Sequence, residues 1–146
     1  MATKLSANFT LEELCKSQTA SRLGINNMPR GQNKDKIIAN LRRVCKVVLQ
    51  PVRDHYGVPF SPSSGYRSPK LNKAIGSKST SQHIKGEAVD FEVPGVPNAE
   101  LADWVEKNVK FDQLILEFHK PSDPSSGWVH CSVKASGNRN KRFSIG

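Results

Sequence analysis

Trp128-Val129-His130-Cys131-Ser132-Val133 alternates with a period of two, the pattern of a strand with one buried face. Val129, Cys131 and Val133 make the core face, so Trp128, His130 and Ser132 point the other way. Two upstream stretches behave alike. In Ala88-Val89-Asp90-Phe91-Glu92-Val93 the apolar set Val89, Phe91 and Val93 leaves Asp90 and Glu92 opposite. In Gln113-Leu114-Ile115-Leu116-Glu117-Phe118 the apolar face is Leu114, Leu116 and Phe118, opposite Ile115 and Glu117. Each strand therefore buries one face and presents polar groups on the other. The connection from His119 to Gly127 is too rich in Pro, Ser and Gly for a regular element, so the last two strands are expected to form a long-looped hairpin.

Helical patterns precede the strands. Thr10 and Glu13 read as a capping box, with Phe9 stapled to Leu14, and predict a helix running to about Gln18. Ser21 to Gly31 carries loop chemistry. Ile37, Leu41, Val44, Val48 and Val52 recur at helical steps, with Pro51 expected to kink or end the helix and Gly57 to close it. Val58 to Ser64 reads as a short strand leading to a turn at Gly65, and Pro69 to Ile75 as a short helix. Residues 76–81 are a polar loop. Asn98 is expected to cap a helix reaching Val109, with Leu101, Trp104 and Val105 as its apolar stripe. Helices first and strands gathered later predict an α+β class, N-terminal helices packed on a small antiparallel sheet. The expected organisation is one domain over 1–146, mainly helical over 1–57 and sheet-forming over 58–146.

The 146 residues carry 22 Lys and Arg against 13 Asp and Glu, a formal charge of +9 that favours an anionic partner. The cations are spread along the chain without a recognition-helix or RNA-binding motif, so a basic surface is expected rather than specific nucleic-acid binding. Three cysteines, Cys15, Cys45 and Cys131, are too few and scattered for a disulfide framework and are expected to be buried thiols. Met1 to Thr10 lacks the apolar run of a signal peptide, and no stretch approaches a membrane span. Synthesis in a host cytoplasm, a monomeric state and no membrane insertion are the corresponding expectations.

A catalytic zinc site takes three protein ligands and keeps one position open. His83 and Asp90, with Gly86 between them permitting a turn, can share an ion across a loop and the following strand, and His130 is held off the core by its strand's alternation. On residue type and spacing alone, a chance His-Asp pair and a structural histidine are the better explanation of these residues. The surrounding sequence changes that. Ser64-Gly65-Tyr66-Arg67-Ser68, then Ser81-Gln82-His83-Ile84-Lys85-Gly86-Glu87-Ala88-Val89-Asp90, then Trp128-Val129-His130 resembles the zinc D-alanyl-D-alanine carboxypeptidases and phage L-alanyl-D-glutamate endolysins, and most of all their small phage and prophage branch.

The resemblance implies a D-Ala-D-Ala carboxypeptidase/hedgehog-like fold, one Zn2+ on His83, Asp90 and His130, and Arg67 in a substrate cleft. It also implies hydrolysis of a peptide bond in the peptidoglycan stem or cross-link by a phage lysis protein or virion-associated wall hydrolase. Other members of this group place an acid three positions before the last histidine, where this chain has Gly127. The general base is therefore assigned to Glu117, which projects from the polar face of the strand expected beside His130, with Asp123 and then Glu92 as alternatives. Ser81 and Gln82 are expected to orient the ligand loop or the substrate, and Trp128 to wall the cleft. His55 and His119 are expected to be solvated, although His119 shares the strand face of Glu117. A phage structural or wall-binding module that keeps the fold without turnover is the alternative, and a basic nucleic-acid binder a more distant one.

Overall fold

The computed structural model describes residues 3–146. Thr10 opens α1 (Leu11–Cys15) with a complete capping box: its hydroxyl accepts from the Glu13 N–H at 3.2 Å, and Glu13 accepts from the Thr10 N–H at 3.1 Å. The helix ends at Cys15, earlier than the sequence predicts. Ser17 then starts a second helix, α2 (Gln18–Leu23), by accepting from the Ala20 N–H at 3.1 Å. Ser17 is thus a cap where helix interior was expected, and the expected loop begins only after Leu23.

The long amphipathic pattern forms α3 (Lys34–Val44), a π-helical turn over Cys45–Leu49 and α4 (Gln50–Tyr56). Pro51 does not end this run. It lacks an N–H and would crowd the carbonyl four residues back in a regular α-helix, and the wider turn just before it accommodates that. Leu41, Val44, Val48 and Val52 are fully buried, as their spacing requires. Next comes α5 (Pro69–Ala74), capped by Ser68.

Val58 to Ser64 is not a strand. Pro59 and Pro62 have no N–H to give a ladder, and only Ser64 bridges to Asp90. The regular strands are β1 (Ala88–Phe91), β2 (Gln113–Glu117), β3 (Trp128–Ser132) and β4 (Lys141–Ile145), in the order β1-β3-β2-β4. The first three pair antiparallel, with Asp90 opposite His130, Ile115 opposite His130 and Glu117 opposite Trp128. The class is α+β, and the long-looped hairpin is present. The sheet is mixed rather than purely antiparallel, because β4 lies parallel to β2 at the edge. β4 buries no face, so no hydrophobic alternation announces it. Its backbone ladder and two 2.7 Å ion pairs from Arg142, to Asp103 and Glu106, hold it instead.

Helix α6 (Asn98–Asn108) packs on this sheet through Leu101, Ala102 and Val105. Its N-cap is Pro97, not Asn98. The Asn98 side chain turns into the β2–β3 loop, where its amide reaches Glu92 Oε1 at 2.9 Å and the Ser126 and Gly127 carbonyls at 3.1 Å each. Phe118 also departs from expectation. It has a left-handed φ of 54° that turns the chain out of β2, and it is exposed rather than on the core face. The buried cluster runs from Leu5, Phe9 and Leu14 through α3 and α4 to the inner faces of β1, β2 and β3. The outer face of the sheet carries the polar groups.

Candidate metal centre and cleft

Alternation along β1 and β3 brings Asp90 and His130 out on the same face, side by side across the ladder. His130 Nδ1 lies 2.8 Å from Asp90 Oδ1. His83 arrives from the loop before β1. Its Nδ1 is 2.7 Å from the Gly65 carbonyl, which can only accept, so Nδ1 carries the proton and the Nε2 lone pair is left facing Asp90 Oδ2 at 3.5 Å. The loop reaches β1 through Gly86, whose φ of 75° makes the turn, and an added Cβ there would stand 2.8 Å from the Ile37 carbonyl.

The three side chains fit a divalent ion. One donor atom from each lies within 4.8 Å of the other two. Donors about 2.0–2.2 Å from a tetrahedral ion stand roughly 3.3–3.5 Å apart. His83 Nε2 lies 3.5 Å from Asp90 Oδ2, at that spacing, and His130 Nδ1 lies 2.8 Å from the other oxygen, Oδ1, at hydrogen-bond length. Two imidazoles and one carboxylate are the donor chemistry of a catalytic zinc site, and the carbonyl on His83 Nδ1 is the outer partner that fixes such a ligand's tautomer. Burial pushes the Asp90 carboxyl up, but the hydrogen bond from His130 and the two neighbouring imidazoles outweigh it and hold the group below the usual carboxylate range. Asp90 is thus ready as an anion.

A cleft of about 600 Å³ opens over this group, and Arg67, Ser81, Gln82, Glu117 and Trp128 also line it. The structure therefore brings every sequence-assigned site residue to one place. Arg67 is anchored by three bonds, Nε to Ser64 Oγ at 3.4 Å and Nη1 to Asn72 Oδ1 at 3.3 Å and Ser77 Oγ at 3.2 Å. Its Nη2 is 3.9 Å from Asp90 Oδ2. Burial lowers its pKa, an effect that Asp90 and Glu117 oppose. Glu117 Oε2 accepts from Trp128 Nε1–H at 2.9 Å, the two being direct cross-strand partners.

Ser81 Oγ accepts from the His83 N–H at 3.2 Å. Gln82 Nε2 donates to Asp112 Oδ2 at 3.1 Å. Both side chains thereby position the ligand loop. Asp112, which reading from the sequence missed, is fully buried, and Arg139 grips it through the backbone N–H at 2.9 Å, Nε at 3.0 Å and Nη2 at 2.7 Å.

The two alternative bases lie elsewhere. Asp123 bonds Ser125 in the β2–β3 loop and Glu92 bonds Asn98, and neither lines the cleft. His119 bonds the Ser126 carbonyl outside the cleft, and exposed His55 stacks on Trp104 at 4.5 Å. All three cysteines are buried and free. Burial first, with Glu12 beside Cys15 and Glu13 beside Cys45 adding to it, pushes those thiols up to about 12, and burial alone raises Cys131. None is a nucleophile at neutral pH.

Gly127 explains its own departure from the pattern. Its φ is 71°, and an added Cβ would sit 2.0 Å from the Glu117 carbonyl oxygen and 2.7 Å from the Phe118 carbonyl carbon. No acidic side chain fits there while β2 and β3 are paired as they are. The carboxylate over the cleft comes from Glu117, one strand away.

The family model for Peptidase M15 matches residues 7–132, which include α1 through β3 and the whole His-Asp-His group. The chain belongs to the M15 peptidase family. This is the zinc peptidase family of the D-Ala-D-Ala carboxypeptidase and endolysin type, so the M15 assignment implies a metallopeptidase acting on peptidoglycan in general. M15 peptidases are zinc-dependent, and the His83, Asp90 and His130 group can hold a metal ion. No curated protein matches the chain. Among the described residues, no helix is long and apolar enough to cross a membrane.

Proposed function

We propose that this M15 peptidase hydrolyses a peptide bond in the peptidoglycan stem or cross-link, with one Zn2+ held by His83, Asp90 and His130. The observation that carries the reading is the meeting of those three donors in a cleft that Glu117 and Arg67 also line. Zinc bound there supplies Lewis acidity, which makes water nucleophilic near neutral pH and polarises a carbonyl.

The chain's own groups do the rest. Glu117 is the general base: Trp128 occupies Oε2, and Oε1 has no hydrogen-bond donor among the described residues, so Oε1 takes the water's proton and returns it to the leaving amine. Arg67, held rigid at Nε and Nη1, offers Nη2 to the charge that develops on the substrate carbonyl. Trp128 holds Glu117 in place and walls the cleft. Asn72 and Ser77 fix Arg67 so that little side-chain freedom is lost when substrate arrives. The basic chain suits an anionic wall polymer. A phage lysis or virion-associated enzyme acting as a monomer is the proposed setting, and it rests on the resemblance to the small phage and prophage branch rather than on the charge.

The test combines metal analysis of purified protein with mass spectrometry of digested peptidoglycan, which reports the ion and the bond together. Glu117→Gln is expected to keep the metal and lose about 10²- to 10⁴-fold in turnover. Unchanged release of peptides by that variant removes Glu117 from the mechanism, and absence of release by the metal-loaded wild type overturns the peptidase reading.

A further inference from the structure

Residues 133–146 lie beyond the region matched to the M15 family, yet they complete the cleft. β4 extends the sheet past β2, the strand that carries Glu117, and Ile145 and Arg139 from this segment line the same cavity as the metal group. Arg139 is placed there by unusually strong means for a surface residue. Buried Asp112 accepts from its Nε at 3.0 Å and its Nη2 at 2.7 Å, a two-point grip that fixes the plane of the guanidinium. That grip consumes one edge. The Nη1 end makes no hydrogen bond among the described residues, and the side chain is 52% exposed.

Holding β4 to the body of the protein needs only the edge that Asp112 uses. The other edge is left free on a residue that lines a cleft together with Arg67 and Lys78. Against these three stand Asp90, already engaged with both histidines, Glu117, and the buried Asp112 that pairs with Arg139. The charges thus balance, and what singles out Arg139 is its geometry: a guanidinium whose orientation is already fixed loses little freedom when it binds a planar anion.

We propose that Arg139 is a substrate-binding residue, its free Nη1 edge holding a carboxylate of the bound peptide. What is assigned is the residue that makes this contact, which lies beyond the region matched to the family; the assignment rests on the peptidase reading for the bond and on Arg139 alone for the carboxylate.

The experiment uses the zinc-loaded full chain and stem peptides whose carboxylates are amidated one at a time, with turnover followed by mass spectrometry. Binding is followed separately by calorimetry on the Glu117→Gln protein. For one of the carboxylates, amidation is expected to raise KM about tenfold with kcat little changed, the size of a single charge-assisted bond. Arg139→Gln is expected to raise KM for the free acid by the same factor and to bind acid and amide alike. Because that variant leaves Asp112 buried without its partner, the Asp112→Asn/Arg139→Gln double variant is measured beside it, with the same loss of discrimination expected.

Cleavage with equal KM for every amidated peptide overturns the Arg139 assignment and leaves the peptidase reading standing, as does discrimination that survives in the double variant. Charge-dependent binding without cleavage does the reverse. Absence of both binding and cleavage overturns both.

Discussion

Two of the three candidate ligands sit on paired strands and the third on a loop, and the two regions hold their side chains by different means. Asp90 and His130 are fixed by the β1–β3 ladder: they are register partners, so the geometry that pairs the backbones also brings the carboxylate and imidazole within 2.8 Å. His83 has no ladder. It is held by separate tethers: its own Nδ1 on Gly65, the Arg67 N–H on its carbonyl at 3.1 Å, Gln82 on Asp112, and Asn40 on the Lys85 carbonyl at 2.9 Å. A sheet gives two ligands at once for the cost of one register. A loop must be tied down one bond at a time, and each tie is a place where the site can be loosened without unfolding the protein.

The largest effect is expected on the strand side. Asp90→Asn removes the central member, which touches both histidines, and replaces one acceptor oxygen by a donor. Metal affinity is expected to fall by more than about 100-fold, beyond the 10- to 100-fold typical of an outer partner, with activity falling to background. Competition with a chelator of known affinity measures it. An affinity within about tenfold of wild type would mean that the strand pair is not the core of the site.

The same division decides what can be read from sequence. Period-two alternation places Asp90, Glu117 and His130 on the outer faces of their strands, because a strand's side chains must take one face or the other. The pattern around His83 needed a resemblance to give it meaning, since a loop histidine carries no periodic signal. Asp112 and Arg139 were invisible for a related reason. They are 27 positions apart and meet only once β2 and the segment before β4 are in place. β4 itself is held by its backbone and by ion pairs, and hydrophobic patterning does not see those. The early break between α1 and α2 turns on whether Ser17 caps or continues a helix, a choice that tertiary contacts make. Gly127 was legible as a departure, but its reason, the Glu117 carbonyl lying where a side chain would be, exists only in three dimensions.

On the loop side, Gln82→Ala cuts one tether and leaves all three ligands in place. Asp112 keeps its three bonds to Arg139, so the fold is expected to hold. Metal affinity is expected to fall about 10-fold, at the low end for an outer partner because Gly65 still orients the His83 ring. The same chelator competition reads it, with thermal unfolding of the metal-free protein as control. An unchanged affinity would show that the Asp112 tether does not reach His83, and a loss as large as that of Asp90→Asn would erase the distinction between ladder and tethers.

The mildest test concerns Asp112 itself, the point where the loop tether and the C-terminal segment meet. Hydrogen bonds from the Arg139 side chain, opposed by burial and aided by its backbone N–H and by Lys134, hold the Asp112 carboxyl below the usual carboxylate range. In the unfolded chain an aspartate ionises near pH 3.9. A depressed folded value means that the charged form is favoured by folding, so the contribution to stability is complete above about pH 4 to 5 and fades as pH falls through the unfolded value toward the folded one. Metal-free wild type and Asp112→Asn compared by Tm from pH 7 to pH 3 are expected to differ most at neutral pH, the variant lower, and to converge in acid. Asp90 titrates in both proteins and so drops out of the difference. Two parallel curves would mean that the Arg139 grip on Asp112 adds nothing to folding through its charge. The C-terminal strand would then be held by its ladder and by Arg142 alone.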